Sequence, residues 1–121
     1  MKNTRKIDFL ELAKQGARIA DSKKGSDIVI LNVRRLTILS DYFLIAAAES
    51  APQMKAIADT IEKTFSRDLN LKLIHKDGSA SSSWIVLDYG GLVIHLMSPS
   101  TRILYALERI WNQARRVKFN K

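Results

Sequence analysis

The stretch Trp84-Ile85-Val86-Leu87-Asp88-Tyr89-Gly90-Gly91-Leu92-Val93-Ile94-His95 decides how this chain is to be read. Two aliphatic and β-branched runs flank a Gly-Gly pair, and glycines supply the positive φ values that a tight hairpin turn needs. The spacing predicts a β-hairpin from Trp84 to Met97. Alternation along its first strand sends Trp84, Val86 and Asp88 to one face and Ile85, Leu87 and Tyr89 to the other. The second strand sets Leu92, Ile94 and Leu96 opposite Val93, His95 and Met97. One face can hold aliphatics alone. The other mixes Trp84, Asp88, His95 and Met97, a composition closer to the core of a protein interface than to a domain interior.

Beyond the hairpin, Ser98-Pro99-Ser100-Thr101 supplies a turn and an N-cap for a helix whose apolar stripe is Ile103, Leu104, Leu107, Ile110 and Trp111. Tyr105, Glu108 and Trp111 recur in it at helical spacing, an unusual mixture of phenol, acid and indole for a core helix. Before the hairpin, Leu71 to His75 suits a short strand, and Lys76 to Ser83, with Asp77-Gly78 and a run of serines, suits a loop. Ser50 can cap a helix with Pro52 in its first turn, and Met54, Ile57, Ala58, Ile61 and Phe65 form its stripe up to about Arg67. Asp27 to Val33 is a continuous apolar run fit for a strand covered on both faces, and Tyr42 to Ala48 is the next strand after the break at Ser40-Asp41. Ile7, Leu10, Ala13, Ala17 and Ala20 mark a first helix from about Ile7 to Lys23. The order is α-β-β-α-β-β-β-α, which indicates an α/β (α+β) architecture with a single mixed β-sheet flanked by helices.

A chain of 121 residues is one domain by size, residues 1–121, with a core from about residue 7 to 113 and short basic tails at both ends. Hydrophobic and charged fractions of 46% and 26% are those of a folded domain. No apolar run approaches the roughly 20 residues of a membrane span, and the acids of Ile7-Asp8-Phe9-Leu10-Glu11 interrupt any secretory apolar core, so the expectation is a soluble cytoplasmic protein. The absence of cysteine removes disulfides, thiolate nucleophiles and Cys-based zinc sites. The two histidines, His75 and His95, stand on different predicted strands outside any HExxH pattern, so neither a metal nor another cofactor is expected.

A net charge of +8 and a pI near 10.0 point to a polyanionic partner, because a basic surface gains from releasing counterions. Much of the charge lies near the ends, in Lys2, Arg5, Lys6, Arg115, Arg116, Lys118 and Lys121. Neither an RRM-type aromatic signature nor a GxxG loop is present, so reading of bases is not expected.

The hairpin and the helix after it resemble the ribosomal silencing factor family, also called Iojap-related proteins. The matching residues are Trp84, Leu87, Asp88, Tyr89, Gly90, His95, Tyr105, Leu107, Glu108 and Trp111, with Ser40-Asp41-Tyr42-Phe43 and Gln53 to Asp59 upstream. The resemblance runs from about Leu10 to Val117 and rests on order and spacing rather than on one motif. It implies a nucleotidyltransferase-like fold, a homodimer, and docking on the large ribosomal subunit through ribosomal protein L fourteen so that the small subunit cannot join. It also implies that the contact region is Trp84, Asp88, Tyr89, His95, Met97, Tyr105 and Glu108, with rRNA contacts from basic side chains. The chain departs from the family at Gly91, where an aspartate is usual, at Ala48, where a glycine is common, and at Lys76-Asp77-Gly78, where Glu-Gly is frequent.

That fold raises an enzymatic alternative. Gly25-Ser26 could imitate a phosphate-holding turn and Asp41 a first metal ligand, but residue 43 is Phe, so the strand lacks the Asp-x-Asp pair that two-metal phosphoryl transfer requires. Ser82, His95 and Asp88 lack a GxSxG elbow, and Lys76-Asp77-Gly78-Ser79 lacks the Walker order. A general basic RNA-binding module is the other alternative. Each contact residue also has a plain reading: Trp84 as a core indole, Asp88 as an acceptor at the Gly-Gly bend, His95 as a structural histidine, Tyr105 and Trp111 packed under the sheet, and Glu108 paired with Arg109 or Arg115.

Overall fold

The structure is a computed structural model and describes residues 7–119. Asp8 starts helix α1 (Phe9–Ser22) by accepting the Glu11 N–H at 3.2 Å, so the helix begins two residues after Ile7. The chain continues through β1 (Ser26–Asn32), β2 (Tyr42–Ala47), α2 (Ala51–Leu69), β3 (His75–Ser79), a single 3-10 turn at Ala80–Ser82, β4 (Trp84–Asp88), β5 (Leu92–Met97), α3 (Pro99–Tyr105), α4 (Leu107–Ile110) and β6 (Arg115–Val117). The six strands form one mixed sheet in the order β3-β4-β5-β2-β1-β6, in which only β2 and β5 run parallel. Helices pack on the sheet as expected from the order of elements.

Helices α1 and α2 cover one face. The stripe Met54, Ile57, Ala58, Ile61 and Phe65 of α2 is buried as its period requires, and Ser50 caps the helix by accepting the Gln53 N–H at 3.1 Å. On α1, Leu12, Ala13, Gly16, Ala17 and Ala20 are buried. Gly16 lets the helix approach β2 closely, since a Cβ there would stand 2.8 Å from Leu44 Cδ2. Against these helices lie Ile30, Leu44, Ala46, Ile85, Leu87, Tyr89, Leu92, Ile94 and Leu96. The hairpin alternation is therefore as the sequence predicts. Each buried Ile or Leu contributes roughly 1.5–3 kcal/mol, so this layer supplies most of the stability.

Three local expectations change. Of the strand expected over Leu71 to His75 only His75 is extended, whereas Lys76 to Ser79, the first half of the expected loop, joins it in edge strand β3 (His75–Ser79). Its residues are polar and exposed, and they pair because β4 presents an open row of backbone groups, from His75 opposite Asp88 to Ser79 opposite Trp84. The basic segment after residue 113, read as a tail, contributes β6, with Arg115, Arg116 and Val117 opposite Asn32, Leu31 and Ile30. The helix predicted through Trp111 breaks at Ala106, which adopts φ 46 and ψ 54 and donates its N–H to the Arg102 carbonyl at 2.8 Å. The break leaves Ile103, Leu104 and Ile110 exposed instead of forming one buried stripe.

Candidate contact face

The second sheet face holds a smaller core of Leu31, Val33, Ile45 and Met97, onto which Leu107, Trp111 and Ala114 fold from the C-terminal segment. Over it lies a run of aromatic rings. Phe43 meets Trp111 edge-on at 5.1 Å and His95 edge-on at 5.7 Å, and the indole of Trp84 lies 4.7 Å from the Tyr105 ring. Trp84 Nε1 donates to His95 Nδ1 at 3.2 Å. That bond fixes the neutral tautomer with its proton on Nε2. Burial pushes the His95 pKa down to about 4, so the ring is uncharged at neutral pH and acts as an acceptor inside the cluster.

The cluster gives way to open surface toward the β3 edge. Val86 lies opposite His95, and Asp88 opposite Val93, all half-buried, with Trp84 beside them and Tyr105 50% exposed above. Ile103 and Leu104 of α3 are exposed as well, with Ile103 lining a groove between α3 and the start of β1. An indole with its polar edge satisfied, a half-exposed phenol, two valines and a carboxylate make a surface of the aromatic-anchored kind on which partner proteins dock.

Not all seven residues singled out by the sequence reach it. Trp84, Asp88, His95 and Tyr105 share this face. Tyr89 is 3% exposed on the opposite face, edge-on to Phe65 at 5.1 Å, because the strand alternation carries one residue past Asp88 into the helix-covered layer. Burial and the nearby Glu62 raise its pKa. Met97 is fully buried beneath the C-terminal segment. These two residues therefore pack the domain rather than line its surface. Asp88 does accept a backbone hydrogen bond at the bend, from Gly90 N–H at 2.8 Å, and Tyr89 N–H closes the turn on the Leu92 carbonyl at 2.8 Å. Only Gly90 needs a positive φ, at 87°, while Gly91 is small because Phe9 packs against it.

Glu108 pairs with neither Arg109 nor Arg115 but with Arg102, whose Nε donates to its carboxylate at 2.7 Å. Partial burial acts to raise the Glu108 pKa, and the hydrogen bond and charge of Arg102 outweigh it, leaving the carboxyl below its ordinary value. Arg102 is 7% exposed, and the pair bridges the break at Ala106, locking α4 against α3. Two contributions carry no local signal: Phe43 stands in the sequence as part of the Ser40-Asp41-Tyr42-Phe43 match and in place of a second carboxylate, neither of which marks it as an aromatic anchor, and nothing local marks Arg102 as buried.

The family description "Ribosomal silencing factor during starvation" matches residues 6–121, almost the whole chain. The chain belongs to the ribosomal silencing factor family. Its relatives include the ribosomal silencing factor RsfS of Halalkalibacterium halodurans, 29% identical over 86% of this chain and 88% of the relative. The chloroplastic protein Iojap of Arabidopsis thaliana is 35% identical over 92% of this chain, which corresponds to 46% of that longer protein. Among solved structures, a crystal structure from Chromobacterium violaceum superposes with a TM-score of 0.82 at 26% identity, covering 95% of this chain and 94% of the other.

Proposed function

We propose that this family member is a translational repressor that docks on the large ribosomal subunit through ribosomal protein L fourteen and excludes the small subunit by occupying its approach. The observation that carries the reading is the Trp84–Tyr105 ridge, bordered by Val86, Asp88 and Val93, on a chain of the silencing factor family. The mechanism needs no chemical step. A bound domain shifts the joining equilibrium by mass action, and joining waits on its release. The protein acts in the cytoplasm as a homodimer, and basic side chains add salt-dependent affinity for neighbouring rRNA. The place where a two-metal enzyme would carry its second carboxylate is filled by Phe43 in the aromatic cluster, which favours occupancy over catalysis.

Co-sedimentation with isolated large subunits, small subunits and joined ribosomes tests the proposal, with Tyr105→Ala beside the wild type. Retention on large subunits alone, loss with Tyr105→Ala and inhibited subunit joining are expected. Equal retention on all three particles, indifferent to Tyr105, sinks the reading in favour of a general basic RNA binder.

A further inference from the structure

Away from the aromatic ridge, at the opposite end of the sheet, β1 and β6 enclose a cleft of about 280 Å³ lined by Asn32, Arg34, Arg35, Leu36, Gln113 and Arg115. Four inter-strand spacings of about 4.8 Å separate β4 from β6, so the cleft stands roughly 19 Å across the sheet from Trp84. Three arginines converge there from two segments distant in sequence, the turn after β1 and the edge strand β6. No acid lines the cleft, and among the described residues none of the three arginines lies within 4.0 Å of a carboxylate. All three are exposed.

The local geometry holds these charges together. Asn32 Oδ1 accepts the Arg34 N–H at 3.1 Å, which turns the chain sharply out of β1 and leaves the amide NH₂ of Asn32 as a donor. The Arg34 guanidinium stands 5.8 Å over the Tyr42 ring, and pairing of Asn32 with Arg115 fixes β6 beside the turn. The lining side chains can therefore present forked N–H donors and carboxamides in a concave space. Arg34 also borders a neighbouring cleft that carries Asp8 and Asp41, but it forms no ion pair with either, so the repulsion among the three guanidinium groups is only partly offset and an anion relieves the rest. Guanidinium forks match phosphate oxygens in pairs, which a lysine patch would not do.

We infer that the Arg34–Arg35–Arg115 cleft binds backbone phosphate of RNA. That the RNA is ribosomal rests on the docking reading above; that the cleft takes RNA phosphate does not. A groove between α3 and the start of β1 carries Arg102, Arg109 and Arg116 with Asp27 and Glu108, and because Glu108 is paired with Arg102 and Asp27 shares the lining, its charge is partly compensated where that of the arginine cleft is not. A domain anchored at Trp84 and Tyr105 by one partner would then reach phosphate with its other end, giving a two-point attachment.

The test is a salt titration of the full chain against a fluorescein-labelled RNA hairpin and, in parallel, against large ribosomal subunits. Wild type is compared with Arg34→Ala/Arg35→Ala/Arg115→Ala, with Arg34→Ala/Arg35→Ala, which leaves β6 untouched, and with Lys24→Ala/Lys63→Ala/Lys72→Ala. The lysine triple removes the same charge from exposed positions outside the cleft. Each lost phosphate contact lowers the slope of log affinity against log salt by about 0.7–0.9, so the arginine triple should lose about 2 units of slope. Its hairpin affinity should fall at least about tenfold at low salt, and the double variant should follow it in part. Equal losses in the two triples, or none in either, overturn the inference. A third arm measures binding to phosphatidylglycerol vesicles: retained hairpin affinity in the arginine triple with loss of vesicle binding overturns the inference too, and would make the exposed Ile38 and Leu39, which follow the lining residue Leu36 in sequence, a membrane contact. Failure of wild type to prefer large subunits, with the hairpin result intact, removes the docking reading and leaves the cleft standing.

Discussion

At the scale of single residues, the Trp84–His95 pair joins packing to proton chemistry. The indole N–H occupies the one acceptor that His95 offers, and both rings are largely withdrawn from water. Trp84→Phe keeps most of the ring contact but leaves His95 Nδ1 unsatisfied, so equilibrium urea unfolding should show a loss of about 1–3 kcal/mol. The histidine also makes stability pH-dependent. Its folded pKa lies near 4, below the ordinary 6.5, so between those values the unfolded chain binds a proton that the folded chain refuses. This contribution is fully present above about pH 6.5 and is lost as pH falls toward 4, at up to about 1.4 kcal/mol per pH unit. His95→Gln should flatten that part of a stability-versus-pH curve; an unchanged slope would place the pH dependence in other groups. Tyr105 differs from both, because its exposed half contributes little to folding. Tyr105→Ala removes the ring contact with Trp84 and should cost about 0.5–1.5 kcal/mol of stability in urea unfolding, while weakening large-subunit binding by about 1–3 kcal/mol.

At the scale of elements, the C-terminal helix is governed by one backbone conformation. Ala106 sits in the left-handed region, where a Cβ costs about 1 kcal/mol, and the Arg102–Glu108 ion pair holds the two short helices on either side of it. Ala106→Gly relieves that cost and should raise stability by about 1 kcal/mol in thermal unfolding. A lower melting temperature would mean that the glycine's extra freedom in the unfolded chain outweighs the relief. The uninterrupted apolar period from Ile103 to Trp111 gives no hint of this break, since the period is the same for one helix or two. By contrast, the stripe of α2 and the two faces of the β4–β5 hairpin were readable in advance. Both follow from a local repeat, 3.6 or 2 residues, and one buried surface fits each.

At the scale of the whole molecule, the sheet separates an aromatic ridge near β4 from a cluster of arginines near β6. The two attachments proposed above should respond differently to salt. Large-subunit binding by the wild type should weaken as salt rises, and Tyr105→Ala should lower affinity at every salt concentration without altering the slope, because an aromatic contact releases no counterions. A changed slope in that variant, measured by co-sedimentation, would mean that the ridge and the charges do not act independently. The net charge of +8 was visible at once, but the convergence of three arginines from residues 34 to 115 was not, because it depends on β6 pairing with β1.

The sequence by itself determined the hairpin, the faces of its strands, the capped second helix and membership of the silencing factor family. These depend on side-chain period, turn chemistry and residue order within short windows. Only the tertiary structure decided that polar Lys76 to Ser79 would join the sheet, that Met97 would be covered by the C-terminal segment, and that Glu108 would pair with Arg102. Each of those outcomes is set by what lies across the fold. An open strand edge recruits backbone whatever its side chains, and a face is buried only if some distant segment comes to cover it.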